Sequence, residues 1–253
     1  MRLCLAFFSF FAFFPALADE VTIQSQRPDD FVNVERLIPQ IQTDIRYFSA
    51  NNFVGRRVEG YQEPVCLLTK KTALALKSVV ASLIARGLTI KVYDCYRPQE
   101  AVNDFVEWAK VLKDTKMRTE FYPSVDKTRL FTDGYIAARS GHSRGSTLDL
   151  TIIPLGSKIP AEDTKRTLEN CTKPKLQRSP DNSLDFGTGF DCFSPVSHPD
   201  YLAISAQARA NRLLLQLLME HAGFKPLDTE WWHFTLIEEP YPNTYFDFPV
   251  KNQ

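Results

Sequence analysis

One run of nine residues, Ser146 to Pro154, limits the possible folds more than any other stretch of this chain. It is β-branched and reads as a strand, yet it carries a carboxylate, Asp149, among apolar neighbours. Burying such a charge is costly unless a partner meets it. The fold must therefore bring a partner to Asp149.

Around that strand, helical and strand periods mix. Asp19 to Glu63 reads as turns and brief strands. From Thr69, Ala73, Leu76, Val79, Val80, Leu83 and Ile84 recur at helical steps, and Gly87 can close that helix in a left-handed cap. Leu88 to Tyr93 predicts a strand ending at Asp94. Pro98 suits a first helical turn, with Ala101, Phe105, Trp108 and Leu112 continuing that helix toward Asp114. Leu155 to Asn182 is polar and reads as a surface excursion tied down by Cys171. Tyr201 to Ala222 predicts the longest helix, with Leu213, Leu214, Leu217 and Leu218 as its buried stripe and Gly223 as its stop. Thr229 to Leu236 is strand-like. With no regular βαβ alternation, repeat or glycine-rich linker, residues 19–253 predict one α+β domain, a small central antiparallel-rich sheet flanked by helices.

The first 18 residues stand apart. Met1-Arg2 is a short positive start, Leu3 to Pro15 is almost wholly apolar, and Ala16-Leu17-Ala18 is a small-residue cleavage site. The apolar run is shorter than the ~20 residues of a spanning helix, so a removable signal peptide is expected at 1–18. The product is then exported, periplasmic or secreted, with no stable membrane insertion. Cys4 leaves with the signal. Cys66, Cys95, Cys171 and Cys192 remain, an even number with three possible pairings and no Cys-x-x-Cys spacing, which favours disulfides over a thiolate metal site. The 30 Lys+Arg balance 30 Asp+Glu and are interleaved. That leaves no basic face for nucleic acid or for an acidic membrane and points to a small or neutral partner.

Of four histidines, His198 and His221 read as structural, whereas His142 and His233 lie in dense polar settings. Two neutral imidazoles and the Asp149 carboxylate, with a fourth position left for water, would make a zinc site of the catalytic kind. His142 and Asp149 are seven apart and need a turn entering a strand to meet. Glu230 and His233 are three apart and share a strand face only if the backbone bulges or the strand begins between them. The residues alone leave two readings open: that zinc site, or His142 capping a turn with His233 satisfied in the core.

Ser140-Gly141-His142-Ser143-Arg144-Gly145-Ser146-Thr147-Leu148-Asp149, Glu230-Trp231-Trp232-His233 and Asp94-Cys95-Tyr96-Arg97-Pro98 together resemble the zinc-dependent D-alanyl-D-alanine dipeptidase family. The likeness extends from Tyr47 and Asn52-Phe53, through Phe186-Gly187-Thr188-Gly189-Phe190-Asp191, to the segment Glu239–Pro249, so it spans nearly the whole mature chain. It implies one zinc per chain held by His142, Asp149 and His233, with Glu230 as general base and Arg97 facing the scissile carbonyl. It also implies that Tyr47, Ser140 and Asp191 hold the charged ends of a small substrate, the D-Ala-D-Ala dipeptide. The alternatives are a D,D-carboxypeptidase acting on longer peptidoglycan stems and a non-catalytic zinc or cell-wall-binding module. Asp94 is expected to orient Arg97 or a neighbouring turn rather than to react, and Trp231 and Trp232 to be walls. Cys95 departs from the glycine common in the family, Thr147 from alanine, and the stretch 155–182 is longer than its counterpart. Along the chain, Cys66 precedes the first helix and Cys95 ends the following strand, while Cys171 lies within the excursion and Cys192 follows it. The expected bridges are therefore Cys66–Cys95 and Cys171–Cys192.

Overall fold

The computed structural model describes residues 21–161 and 167–252, so the expected signal peptide lies outside the described residues. In chain order the elements are β1 (Thr22–Gln24), β2 (Phe31–Asn33), α1 (Val34–Leu37), β3 (Gln42–Thr43), β4 (Leu67–Thr69), α2 (Lys70–Ile84) and β5 (Leu88–Asp94). They continue as α3 (Gln99–Lys110), α4 (Arg118–Phe121), β6 (Thr147–Pro154), α5 (Ala206–His221), β7 (Phe224–Leu227), β8 (Glu230–Leu236) and β9 (Thr244–Phe246). Five strands form the central sheet in the order β3-β5-β6-β8-β7. Only the short β3 runs parallel to its neighbour. The chain thus adopts the α+β, antiparallel-rich arrangement its sequence predicts. Among the described residues no helix is long and apolar enough to cross a membrane.

The helices flanking the site follow local chemistry. Thr69 caps α2 by accepting the Thr72 N–H, and Ala73, Leu76, Val79, Val80 and Leu83 make its buried side. Gly87, at φ +70°, turns the chain into β5. Pro98 precedes α3, whose Ala101, Phe105 and Trp108 point inward. Leu112, expected to continue that stripe, is instead exposed. The helix stops at Lys110 because the Lys127 ammonium takes the Val111 and Asp114 carbonyls at 2.8 and 2.9 Å, fixing a turn there.

α5 corrects a second expectation. Its buried side is Ala208, Asn211, Arg212, Leu215 and Met219; of the expected stripe Leu218 packs partly buried against the core, while Leu213 and Leu217 are 56 % and 54 % exposed and Leu214 is 36 % exposed. A leucine-rich run fills every direction around a helix, so its period does not fix which side turns in. The polar residues decide the rotation. The Arg212 guanidinium meets the carbonyls of Phe186, His198 and Val196, and Asn211 donates to the Asp185 carbonyl. Leu217→Gln should therefore shift the unfolding free energy by less than ~0.5 kcal/mol; denaturant unfolding measures it, and a loss above ~2 kcal/mol would place Leu217 in the core.

The described part of the 155–182 excursion is anchored by a buried lysine. Lys91 stands in mid-β5, and Asp181 and Asn182 reach it at 2.9 and 2.8 Å, while Asp181 also pairs with Arg46 at 2.8 Å. Asp181 is largely buried, which opposes its ionisation, but Lys91 and Arg46 outweigh burial and hold its carboxyl well below the usual range.

Candidate active site

Three neighbouring strands set three functional side chains abreast: Asp94 on β5 pairs with Asp149 on β6, and Asp149 with His233 on β8. His142 arrives on the 3-10 turn Gly141–Arg144, whose start is capped by the Ser140 hydroxyl accepting the His142 N–H at 3.3 Å. Gly145 ends that turn at φ +75°, and a Cβ there would lie 2.3 Å from the Phe31 ring. Only glycine lets the chain swing from His142 into β6.

Glu230 and His233 share one side because β8 bulges. Leu227 on β7 lies opposite Glu230, yet the adjacent Pro226 lies opposite Phe234. The extra β8 residues leave the ladder, and Glu230 Oε2 comes to 3.5 Å from His233 Nδ1.

The residues present fit a metal ion. His142 Nε2 is 3.3 Å from His233 Nδ1 and 3.4 Å from Asp149 Oδ2, and His233 Nδ1 is 3.1 Å from Asp149 Oδ1. Tetrahedral coordination at ~2.0–2.1 Å spaces neighbouring donor atoms ~3.3–3.4 Å apart, close to what is found. His142 Nδ1 donates to the Cys95 carbonyl at 2.7 Å, which leaves Nε2 as a bare lone pair facing the other two donors. Asp149 Oδ1 is buried and makes no hydrogen bond of acceptable geometry. Burial disfavours charge on both Asp149 and His233. Even so, the two imidazoles hold Asp149 far below the usual carboxylate range, and Asp149 and Glu230 raise His233. The three side chains thus call for positive charge at the point on which they converge.

Beside that point, burial and the nearby Asp149 raise the Glu230 carboxyl to about 7, with His233 opposing. Arg97 is gripped by Asp94, with Nε and Nη2 each 2.9 Å from Oδ2, and its Nη2 lies 3.7 Å from Asp149 Oδ2. The Tyr61 hydroxyl donates to the other Asp94 oxygen at 2.7 Å. Tyr47 is buried, and its hydroxyl donates to Asp191 Oδ2 at 2.8 Å. Asp191 is held at φ +55°, the one non-glycine residue with positive φ among those described. Burial and the acids Asp149 and Glu230 push its carboxyl well above the usual range.

All eight of the residues expected to act, Tyr47, Arg97, Ser140, His142, Asp149, Asp191, Glu230 and His233, line one cleft of about 290 Å³, at the small end of ligand pockets. His198 and His221 do not line it. Trp231 and Trp232, expected to be walls, do not line it: both are buried in the core, Trp231 stacked on Phe186 and donating to Thr188 at 2.8 Å. Cys66 is bonded to Cys95 and Cys171 to Cys192. Sequence reasoning missed Tyr61 and the Cys95 carbonyl. A backbone acceptor leaves no mark in a sequence, and Tyr61 lies far from the Asp94 motif along the chain. It also missed the Lys91–Asp181 pair, although a lone lysine in an apolar strand is the same signal that singled out Asp149.

Donors that could hold a metal from one side, open to a small cleft and flanked by a carboxylate able to take a proton, define a site suited to hydrolysis. Residues 27–162 and 172–251 match the D-ala-D-ala dipeptidase family, and the chain belongs to it. The internal gap in the match, residues 163–171, falls inside the long excursion. Similar proteins include the D-alanyl-D-alanine dipeptidases of Streptomyces coelicolor, 36 % identical over 87 % of this chain and 98 % of the relative, and of Enterococcus faecalis, 34 % identical over the same shares. That of Escherichia coli is 28 % identical over 82 % of this chain and 84 % of its own.

Proposed function

We propose that the chain is an exported zinc metallopeptidase that hydrolyses D-Ala-D-Ala to two molecules of D-alanine. The observation that carries this reading is the convergence of His142 Nε2, Asp149 and His233 Nδ1 on one point, with Glu230 beside it. Those three residues would hold the zinc, which supplies Lewis acidity that strengthens water as a nucleophile and a peptide carbonyl as an electrophile. Glu230, poised near neutrality by burial, accepts the proton of the attacking water and hands it to the leaving amine. Arg97 cannot swing away from its carboxylate clamp, so its charge is already in place when negative charge develops on the carbonyl oxygen. The names of the relatives support the dipeptide as substrate. Export is supported by the pattern of residues 1–18 and by two disulfides, which persist in an oxidising compartment.

Asp191 and Tyr47 take the substrate ammonium. A buried carboxyl crowded by other acids gains most from meeting a cation. The Ser140 hydroxyl, whose oxygen already accepts the His142 N–H, keeps its own proton free to donate to the substrate carboxylate. The Asp191 role separates dipeptide hydrolysis from stem trimming, because an acylated stem has no ammonium there. Native protein should cleave free D-Ala-D-Ala well and its N-acetyl derivative poorly. Asp191→Ala should lower kcat/KM on the free dipeptide by ~2 kcal/mol, a factor of tens, and shrink the handicap of the acetylated one. Equal cleavage of both by native protein would favour the carboxypeptidase reading.

A further inference from the structure

Regular pairing of β5 ends at Asp94, after a register shift between Val92 and Asp94. The next residues, Cys95 to Arg97, are off the ladder, yet they serve the site twice. Arg97 supplies the guanidinium, and the Cys95 carbonyl accepts the His142 Nδ1–H at 2.7 Å. Cys95 and His142 are each 1 % exposed, so water does not replace that hydrogen bond if the carbonyl moves. Besides the Arg97 N–H donating to the His142 carbonyl at 3.4 Å, two links tie Cys95 and Tyr96 to the segment entering β4. One is the bond to Cys66 and the other is the Tyr96 N–H donating to the Leu67 carbonyl at 2.9 Å. β4 is itself anchored outside the central sheet by pairing with β2, and the Cys66 carbonyl accepts the Val34 N–H at 3.0 Å.

We propose that the Cys66–Cys95 disulfide is a positioning device for the metal centre. It holds the Cys95 carbonyl where it fixes the tautomer and ring direction of His142, so that losing the bridge weakens metal binding itself. This rests on the reading of His142, Asp149 and His233 as metal ligands. The groups that orient metal-bound histidines are worth ~10- to 100-fold in metal affinity, and removing the clamp on one such group is expected at the low end, ~10-fold. The affinity of the site then depends on the redox state of its surroundings. The chain binds zinc at full strength only where the bridge persists.

The second disulfide provides a matched control. Cys171–Cys192 spans 21 residues against 29 for Cys66–Cys95, so on chain-entropy grounds both bridges stabilise by similar amounts. Neither Cys171 nor Cys192 has a contact to a metal donor comparable to that of Cys95. The test compares native protein, Cys66→Ala/Cys95→Ala and Cys171→Ala/Cys192→Ala. The zinc dissociation constant is read by competition with a chromophoric chelator, and the Tm of each metal-free protein is read alongside.

The expected result is zinc bound about tenfold more weakly by Cys66→Ala/Cys95→Ala, and within about twofold of native by the other double variant, with Tm lowered in both. Native-like zinc affinity in Cys66→Ala/Cys95→Ala, or an equal loss in the two variants, would overturn the proposal. Failure of native protein to bind zinc would instead overturn the metal reading. If Cys66→Ala/Cys95→Ala does not fold, the same measurement is made on folded Cys171→Ala/Cys192→Ala treated with a water-soluble phosphine. There the remaining S–S bond breaks to two thiols while the phosphine takes oxygen from one water and becomes its oxide. Weaker zinc binding after that treatment, restored on reoxidation, supports the proposal, and unchanged binding overturns it.

Discussion

Glu230→Ala should cut turnover on D-Ala-D-Ala by roughly 100- to 10,000-fold, the range for loss of a positioned general base, and leave one zinc per chain. The two halves of this expectation come from different observations. Glu230 Oε2 lies 3.5 Å from His233 Nδ1, close enough to serve a water at the metal position, but it is not among the three residues whose donor atoms converge there. Burial raises its carboxyl above the usual range in the metal-free site, and from its place beside the metal position it can take a proton from water and return it to the leaving amine. Steady-state kinetics together with metal analysis of the variant check both halves. Loss of zinc on substitution would make Glu230 a ligand rather than a base.

A comparably large effect is expected for His142→Ala, which removes one of the three donors and leaves Asp149 and His233 to hold the metal alone. The Lewis acidity that a bound metal supplies is worth several kcal/mol, so activity should fall by more than ~1000-fold even with added zinc. Zinc affinity should collapse in parallel. His221→Ala, at the exposed end of α5, should retain native activity. An active His142→Ala protein with native zinc affinity would refute the ligand set. Reading both variants by circular dichroism separates loss of chemistry from loss of fold.

Much of this site was legible before any coordinates, because costly placements leave marks in a sequence. Asp149 in an apolar strand demanded a partner, and the strand order supplies His233 directly opposite it. Glycine at 145 and the run of polar residues around His142 marked the turn that completes the set. What stayed hidden has physical causes. Nothing in Glu230-Trp231-Trp232-His233 specifies a bulge, since that distortion arises where β8 meets the shorter β7 and its Pro226. The inward side of α5 was misread because leucine's hydrophobicity carries no direction when leucines surround the helix. Arg212 and Asn211 fixed its rotation through carbonyls of a distant loop. The Cys95 carbonyl, at 2.7 Å from His142 Nδ1 a nearer acceptor than Asp94 Oδ2 at 3.5 Å, is backbone and has no signature at all.

The most direct test of the account is a zinc titration of metal-free native protein, following D-alanine released from D-Ala-D-Ala. Activity should be absent at the start, rise linearly with zinc and stop rising at one equivalent per chain, with two D-alanines formed for each dipeptide consumed. Full activity in the metal-free protein, or a folded protein loaded with one zinc that leaves the dipeptide intact, would contradict it.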